Sequence, residues 1–477
     1  AEDGIRDAQE SRGLGDVYKR QAEAFSGSYP TLPVHVRVAR HDGRLYLDLC
    51  DRAWRVVEID PTGWRILGRS PVAFVRARGL EELPAPTPGG SVDLLRELLT
   101  VDDESFRLLV GWLLGTLVPE GPFPILALHG EQGSAKSTTS RMLRRLIDPN
   151  LGDVRPPPHE DHDIYIAAKS SWILSYDNLS TLPAWMADAL CRTTSGTGAA
   201  RRRLYTGSEE IIIPVCRPII INGIPELAQR DDVADRALSV QLPALPDHAR
   251  RREADLWQHY QRLQPLVLGG VLDVASSAMA ALPGVRLSGF PRMADFAAWV
   301  TAAEAALGWP PGSFLAAYQG NRRRTTELVL EASAIAAPLE SLLEDEGGRW
   351  CGTASALLAK LSDKVDERVV RSRSWPPDAV RLSSELRRLS PALRKVGIDV
   401  GFSKGGKRLI DITKDKEGKE RPQRPQRPTQ GEITLNPLES QGILEGATGM
   451  LQRPPAPSAP YPAPYPNGQG APEGAQG

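Results

Sequence analysis

Four short apolar runs punctuate the middle of the chain: Ile125–Leu128, Trp172–Leu174, Ile219–Ile221 and Ser239–Leu242. Runs that do not alternate with polar residues suit strands covered on both faces, as in a parallel sheet between helices. The region from Val34 to Arg76 has a different rhythm. Val34–Val38 and Leu45–Leu49 alternate like half-buried strands, and Asp42-Gly43 between them is a hairpin signal. A second turn at Asp60–Gly63 precedes Trp64–Leu67, so residues 26–83 are expected to form a small β-rich module. The Pro/Gly-rich stretch Pro84–Gly90 reads as a linker. From 250 to 335 the spacing is helical, with Leu256, Tyr260, Leu263 and Leu266 on one helix and Phe296, Val300 and Ala303 on another. Residues 336–413 predict a helix over Ala354–Val365, a second over Leu382–Gly397 containing Pro391, and a hairpin. Its strands are Ile398–Phe402 and Arg408–Ile412, joined by the basic tip Ser403–Lys407.

The first apolar run continues into Gly130, Glu131, Gln132, Gly133, Ser134, Ala135, Lys136, Ser137 and Thr138, and residues 138–147 then read as a helix. Strand, Gly-rich loop and helix in that order make a phosphate-binding loop. Backbone N–H groups and the helix dipole cradle the phosphates, Lys136 reaches the outer ones, and the Ser137 hydroxyl holds magnesium. The ligand class is therefore nucleoside triphosphate with Mg2+. Ala135 stands where the motif usually has a second glycine. A positive φ there would cost about 1–2 kcal/mol, and a negative φ nothing.

The other runs end in polar residues. Trp172–Tyr176 leads to Asp177, a candidate magnesium ligand beside the loop, and to Asn178. The separation of 41 positions from Lys136 to Asp177 leaves room for one helix and one further strand. Ile219–Ile221 leads to Asn222, which is expected at the γ-phosphate end of the sheet; a turn residue before Gly223 is the plain alternative. Before the last strand, Arg236 is a candidate arginine finger, or else a partner of Asp231 or Asp232.

Taken in order, the Gly130–Thr138 loop, Tyr176–Ser180, Leu204–Thr206, Ile221–Gly223 and Asp235–Ala237 resemble the ATPase of phage- and plasmid-type primase–helicases, within the superfamily-3/AAA+ group. The resemblance covers about Ser91 to Leu245. It implies an α/β fold: an AAA+-like P-loop core with a parallel sheet (91–249), a helical lid (250–335), a C-terminal winged helix (336–413) and a ring of identical subunits, a hexamer by family habit. It also implies ATP as substrate, Asp177 as the Walker-B-type carboxylate, Asn222 as polar sensor and Arg236 acting across a subunit boundary. Asn178 sits where many relatives have a second acid, and a neutral amide is a poor base. That departure leaves a non-hydrolysing initiator or loader module as the alternative to a DNA helicase of a mobile element. A small-molecule kinase is a third, weaker reading.

Nucleic-acid contacts are expected at two places. The Gly-flanked cluster Arg201, Arg202, Arg203 and Tyr205 suits a hairpin tracking single-stranded DNA, arginines on phosphates and the tyrosine on a base. In the winged helix, Arg387, Arg388 and Lys395 would enter the duplex groove while Lys404, Lys407 and Arg408 grip the backbone. A solvated basic loop and a protein-binding winged helix are the respective plain readings.

Composition narrows the setting. A formal net charge of −1 says nothing about partners. Four widely spaced cysteines fit a reducing cytoplasm without a disulfide or zinc framework. No uninterrupted apolar run reaches the ~18 residues of a membrane span, so no membrane partner is expected. His159–Asp163 reads as a solvated loop rather than a metal site, its ligands being consecutive. Residues 414–477 are charged, then Pro/Gln/Gly-rich, and are expected to be disordered. Ser11–Gln21 resembles translated sequencing-adapter read-through, so residues 1–21 are set aside from the fold. On that reading the chain is truncated at its N-terminus and any upstream domain is lost, a primase domain or partner being one candidate.

Overall fold

The computed structural model describes residues 32–414, apart from 198, 203–209, 214, 224–230, 247–250, 288, 290, 373 and 404–407; of 199–202, 210–213 and 231–232 it describes the backbone alone. All described residues fall in the first of two units, Ala1–Glu420, and the second is Arg421–Gly477. The tail expected to be disordered and the set-aside N-terminal residues lie outside the described residues.

The chain opens with β1 (Val34–His35), β2 (Val38–His41), β3 (Arg44–Asp48), β4 (Val56–Asp60), β5 (Gly63–Leu67) and β6 (Ala73–Phe74). Strands β2 to β5 form an antiparallel meander, and β1 pairs with β6 in parallel. The β2–β3 turn is the expected one: His41 faces Arg44, and Asp42 (φ 47°) and Gly43 (φ 73°) both take the left-handed backbone of a two-residue hairpin. One sheet face contributes Val38, Leu45, Leu47, Val57 and Ile59 to the largest hydrophobic cluster, which continues without a break through the nucleotide-site helices.

Next come α1 (Asp103–Gly115), β7 (Ile125–His129), α2 (Lys136–Ile147), α3 (Asp161–Ser170), β8 (Leu174–Leu179), α4 (Ala184–Ser195), β9 (Ala199–Arg202), β10 (Glu210–Ile213), β11 (Ile219–Gly223), α5 (Asp231–Ala234) and β12 (Ala237–Gln241). Four parallel strands lie in the order β12-β7-β11-β8. In β7, Leu126 and Leu128 join the cluster on one face while Ile125 and Ala127 join another with α3 and α4. Both faces are covered, which is why the sequence run does not alternate.

Two expectations change here. Between Lys136 and Asp177 there are two helices and no further strand, only an isolated parallel bridge from Arg155 to Tyr176. His159–Asp163, read as a loop, instead starts α3: Glu160 is the N-cap, and the Asp163 carboxylate accepts from the Glu160 N–H. Among the described residues no cluster of three His, Cys, Asp or Glu is placed to hold a metal.

The remainder comprises α6 (Glu253–Ala281), α7 (Ala294–Ala303), α8 (Ser313–Glu331), α9 (Ala336–Asp345), β13 (Arg349–Thr353), α10 (Ala354–Ser362), α11 (Glu367–Val370), α12 (Ala379–Lys395), β14 (Ile398–Phe402) and β15 (Leu409–Lys414). Helix α6 corrects the membrane count. Although interrupted by polar residues, the stretch Glu253–Gly284 contains an 18-residue window with mean hydropathy 1.6, long and apolar enough to cross a membrane. Here 61% of that window is buried against the rest of the chain, the pattern of a core helix. The Pro84–Gly90 stretch lies along it: Thr87 N–H donates to Pro265 O at 2.9 Å. At Gly269 a Cβ would run into the Thr87 carbonyl, so the close approach requires glycine. The C-terminal sheet is antiparallel, β13-β15-β14, with Pro391 carried inside α12. Its core joins Leu357, Leu361, Leu386 and Ile410 to Val329 and Leu330 of α8 and Ala234 of α5.

Candidate nucleotide site

The site is built at the carboxyl ends of β7, β8 and β11. Strand β7 is buried along its whole length and delivers the chain to Gly130, whose φ of 152° and surroundings exclude a side chain. A Cβ there would strike Ser134 Oγ and lie 2.6 Å from Leu242 O. Gly133 follows with φ 85°, and Ala135 with φ 60° and ψ 26°. The open question at Ala135 is thereby answered: it occupies the left-handed region and carries the strain. No side chain caps the N-terminus of α2, so its first N–H groups remain available for an anion.

Lys136 Nζ donates to Gly130 O at 2.8 Å and Glu131 O at 2.7 Å, folded back over the loop it belongs to. Ser137 Oγ donates to Asp177 Oδ1 at 2.9 Å. The sequence-predicted Lys136, Ser137 and Asp177 are thus brought together across β7 and β8.

Asn178 and Asn222 are joined in a way the sequence did not suggest. Ile221 pairs with Tyr176 and Gly223 with Leu179, so three steps along β8 oppose two along β11. This is a bulge, and Asn178 sits in it with φ 57°. Asparagine is among the few residues that accept that backbone without much cost. The bulge takes the Asn178 N–H out of the ladder, and Asn222 Oδ1 accepts it at 2.9 Å. The other end of the same amide donates to Ser140 Oγ at 3.1 Å, and Ser140 donates to Lys136 O at 3.0 Å. Asn222 is buried, with both polar atoms occupied. Expected as a sensor facing phosphate, it ties β8 to the loop helix. The Asn178 side chain is exposed.

Arg236 lies at the other end of the sheet. Its carbonyl accepts from Ile125 N–H, at the start of β7, whereas the loop begins after His129. It is half-buried and makes no ion pair with a described residue; the side chains of Asp231 and Asp232 lie outside the described residues. Its neighbour Asp235, which sequence reading passed over, is the charged hub. Arg292, Arg322 (2.5 Å) and Lys395 (3.0 Å) all donate to its carboxylate. Burial alone would raise its pKa, yet the Arg292 bond and the charges of Lys395 and Arg322 hold it well below the usual carboxylate range.

The expected nucleic-acid residues divide. Arg201 and Arg202 lie in β9, which pairs with β10 as an antiparallel hairpin, while Arg203 and Tyr205 lie outside the described residues. Arg387 stacks over Phe402 at 4.4 Å, Arg388 and Arg408 are exposed, and Lys404 and Lys407 lie outside the described residues. Lys395 is a correction: its amine pairs with Asp235 rather than standing free for a groove.

Comparisons with known proteins add a family. Residues 92–322 match the model of the actinomycete integrative conjugative element replication protein, and residues 332–429 match that of its C-terminal domain. No curated protein matches the chain. Among solved structures, the apo C-terminal region of NrS-1 is similar at 12% identity over 76% of this chain and 94% of its own, with a TM-score of 0.31. A protein from Cytophaga hutchinsonii, described as a putative ATPase, is similar at 13% identity over 48% of this chain and 83% of its own, with a TM-score of 0.29.

Proposed function

We propose that this chain, whose residues 92–322 and 332–429 match the models of the actinomycete integrative conjugative element replication protein and its C-terminal domain, is an ATP-driven DNA helicase or translocase of a mobile element's replication, working in the cytoplasm as a homo-oligomeric ring. One observation carries this reading: the bond from Ser137 to Asp177 directly behind a loop whose Gly130, Gly133 and Ala135 all take positive φ. A hydroxyl and a carboxylate meeting there supply the oxygen pair that magnesium takes alongside substrate phosphates, so these residues fit the ion. Bound there, magnesium would offset the negative charge of the triphosphate. Lys136 would leave the carbonyls of Gly130 and Glu131 for the outer phosphates, and the uncapped α2 terminus with residues 130–138 would hold the rest.

Arg236 cannot serve its own site, since the length of β7 separates the two; it would complete the site of a neighbouring subunit. Single-stranded DNA would meet the β9–β10 hairpin, and duplex DNA would meet the C-terminal domain as a winged helix through Arg387, Arg388 and Arg408. The order α9, β13, α10, the short α11, α12 and the β14–β15 hairpin supports that reading. The test is ATP turnover with and without single-stranded DNA, for the parent and for Lys136→Ala. DNA-stimulated turnover that the variant loses supports the motor. Turnover that DNA leaves unchanged sinks it.

A second reading, a non-hydrolysing initiator or loader, is favoured by the neutral Asn178 and the strained Ala135. Tight ATP binding with negligible turnover in the parent would select it.

A further inference from the structure

The β-rich module carries an aromatic feature that the nucleotide site does not use. Trp54, in the turn between β3 and β4, is 56% exposed and holds a φ of 56°. Large aromatics rarely adopt this backbone, and such strain persists only when the surroundings enforce it. Here Asp51 enforces it. Its carbonyl accepts from Trp54 N–H at 3.3 Å, and its carboxylate accepts from both the N–H and the side chain of Arg55.

One face of the indole is covered by the guanidinium of Arg76, 3.8 Å from the ring centroid. That guanidinium is itself fixed: Nε and Nη2 donate to the Asp48 carboxylate at 2.9 and 2.5 Å, and Nη1 donates to Asp51 O. With the guanidinium held in place by Asp48 and Asp51 against the indole, the stack is preorganised. Around it Arg52 and Arg78 are exposed, and neither makes an ion pair with a described residue. Leu151, 75% exposed, is tied beside Arg78 by its N–H bond to Gly79 O at 2.9 Å.

The location matters. Val75, next to Arg76, donates to His35 O at 2.9 Å. The His35 ring is close enough to Arg217 to feel its charge. Arg217 closes the base of the β9–β10 hairpin, its N–H donating to Thr193 O at 3.0 Å. Val75 and His35 thus connect the stack to the neighbourhood of Arg217, which follows β10 in the chain.

We propose that Trp54, backed by Arg76, is a base-stacking platform for single-stranded nucleic acid, with Arg52 and Arg78 on the flanking phosphates. A rigid ring with a cationic backing and one free face suits any base, and nearby cations suit a sugar-phosphate chain. The inference extends the DNA-binding part of the function proposed above to a module with no part in that reading.

The experiment measures affinity of the full chain for a labelled 20-nucleotide oligo(dT) and for an abasic strand of equal length. Parent, Trp54→Ala and Trp54→Phe are compared, with thermal melting as the folding control. Trp54→Ala should weaken oligo(dT) binding about ten-fold, leave the abasic strand unaffected, and be largely rescued in Trp54→Phe. Unchanged oligo(dT) binding in Trp54→Ala, or an equal loss on both strands, overturns the platform. If Trp54→Ala instead changes only the sedimentation of the protein, the ring is a contact between copies and the proposal falls. ATP turnover stimulated by DNA in all three proteins would leave the motor standing whatever the platform's fate; a parent that binds neither strand removes both.

Discussion

Asp235 and Lys395 stand 160 residues apart in sequence and meet at 3.0 Å, joining the start of β12 to the end of α12. The contact anchors the C-terminal helix beside Arg236. Arg292 and Arg322 share the same carboxylate, so Lys395→Ala leaves Asp235 paired and should cost under about 1 kcal/mol. Asp235→Asn leaves three cations facing a neutral amide and should cost on the order of 2 kcal/mol. Urea unfolding midpoints for the two variants check this order. The lowered pKa of Asp235 puts its contribution fully in place above about pH 4, to be lost as pH falls through the depressed native value. The difference between parent and Asp235→Asn should accordingly be flat between pH 5 and 8 on this carboxylate pKa scale.

Ala135→Gly should raise stability by up to about 1 kcal/mol. The left-handed backbone costs alanine about 1–2 kcal/mol, and glycine returns part of that gain as unfolded-chain entropy. A β-branched side chain is worse still in this region, so Ala135→Val should lower both the melting temperature and ATP affinity. Calorimetry and nucleotide titration give the two readouts.

Asn178→Asp keeps a residue that tolerates the bulge backbone and adds an exposed carboxylate next to Asp177. If hydrolysis is slow for want of a base, turnover should rise by about ten-fold or more. The backbone N–H that Asn222 holds is untouched, so melting should move little. A steady-state ATPase assay decides, and unchanged turnover would mean that the base comes from elsewhere.

His35 predicts a response to acid. Burial, then the charge of Arg217, lowers its pKa, so the folded protein favours the neutral ring. The unfolded chain binds the proton more readily, and stability is fully present above about pH 6.5 and declines as pH falls toward the native value. His35→Phe should flatten the slope of stability between pH 5 and 7 on that histidine scale, as read by urea midpoints across pH.

Strand β7 and its loop were legible because their signals are local: an apolar run covered on both faces, then glycines at positions of positive φ. The Asp42-Gly43 hairpin was legible for the same reason. Asn178 and Asn222 were visible as polar strand ends, but their bond depends on a register slip between β8 and β11 that neither segment encodes alone. Asp235 gave less still, for its partners lie 57, 87 and 160 residues downstream. Lys395 was misread on that account, a cation at a helix end being a groove contact until its counter-ion is known. Trp54 carries no local sequence signal, and only its exposure and backbone set it apart.

Arg37, at φ 61° and wholly buried, donates to Asp148 at 3.1 Å and to the carbonyls of Asp48, Glu81 and Pro149, while Asp148 also accepts the N–H groups of Trp172 and Ile173. Each side-chain polar atom of Arg37 and of Asp148 thus has a hydrogen-bond partner. Splitting such a pair strands a charge in the interior, at about 3–5 kcal/mol. The β-rich module is consequently not an interchangeable cassette. Recombination that swapped it between elements would have to carry residue 37 and residue 148 together, and the two would be inherited as a linked pair.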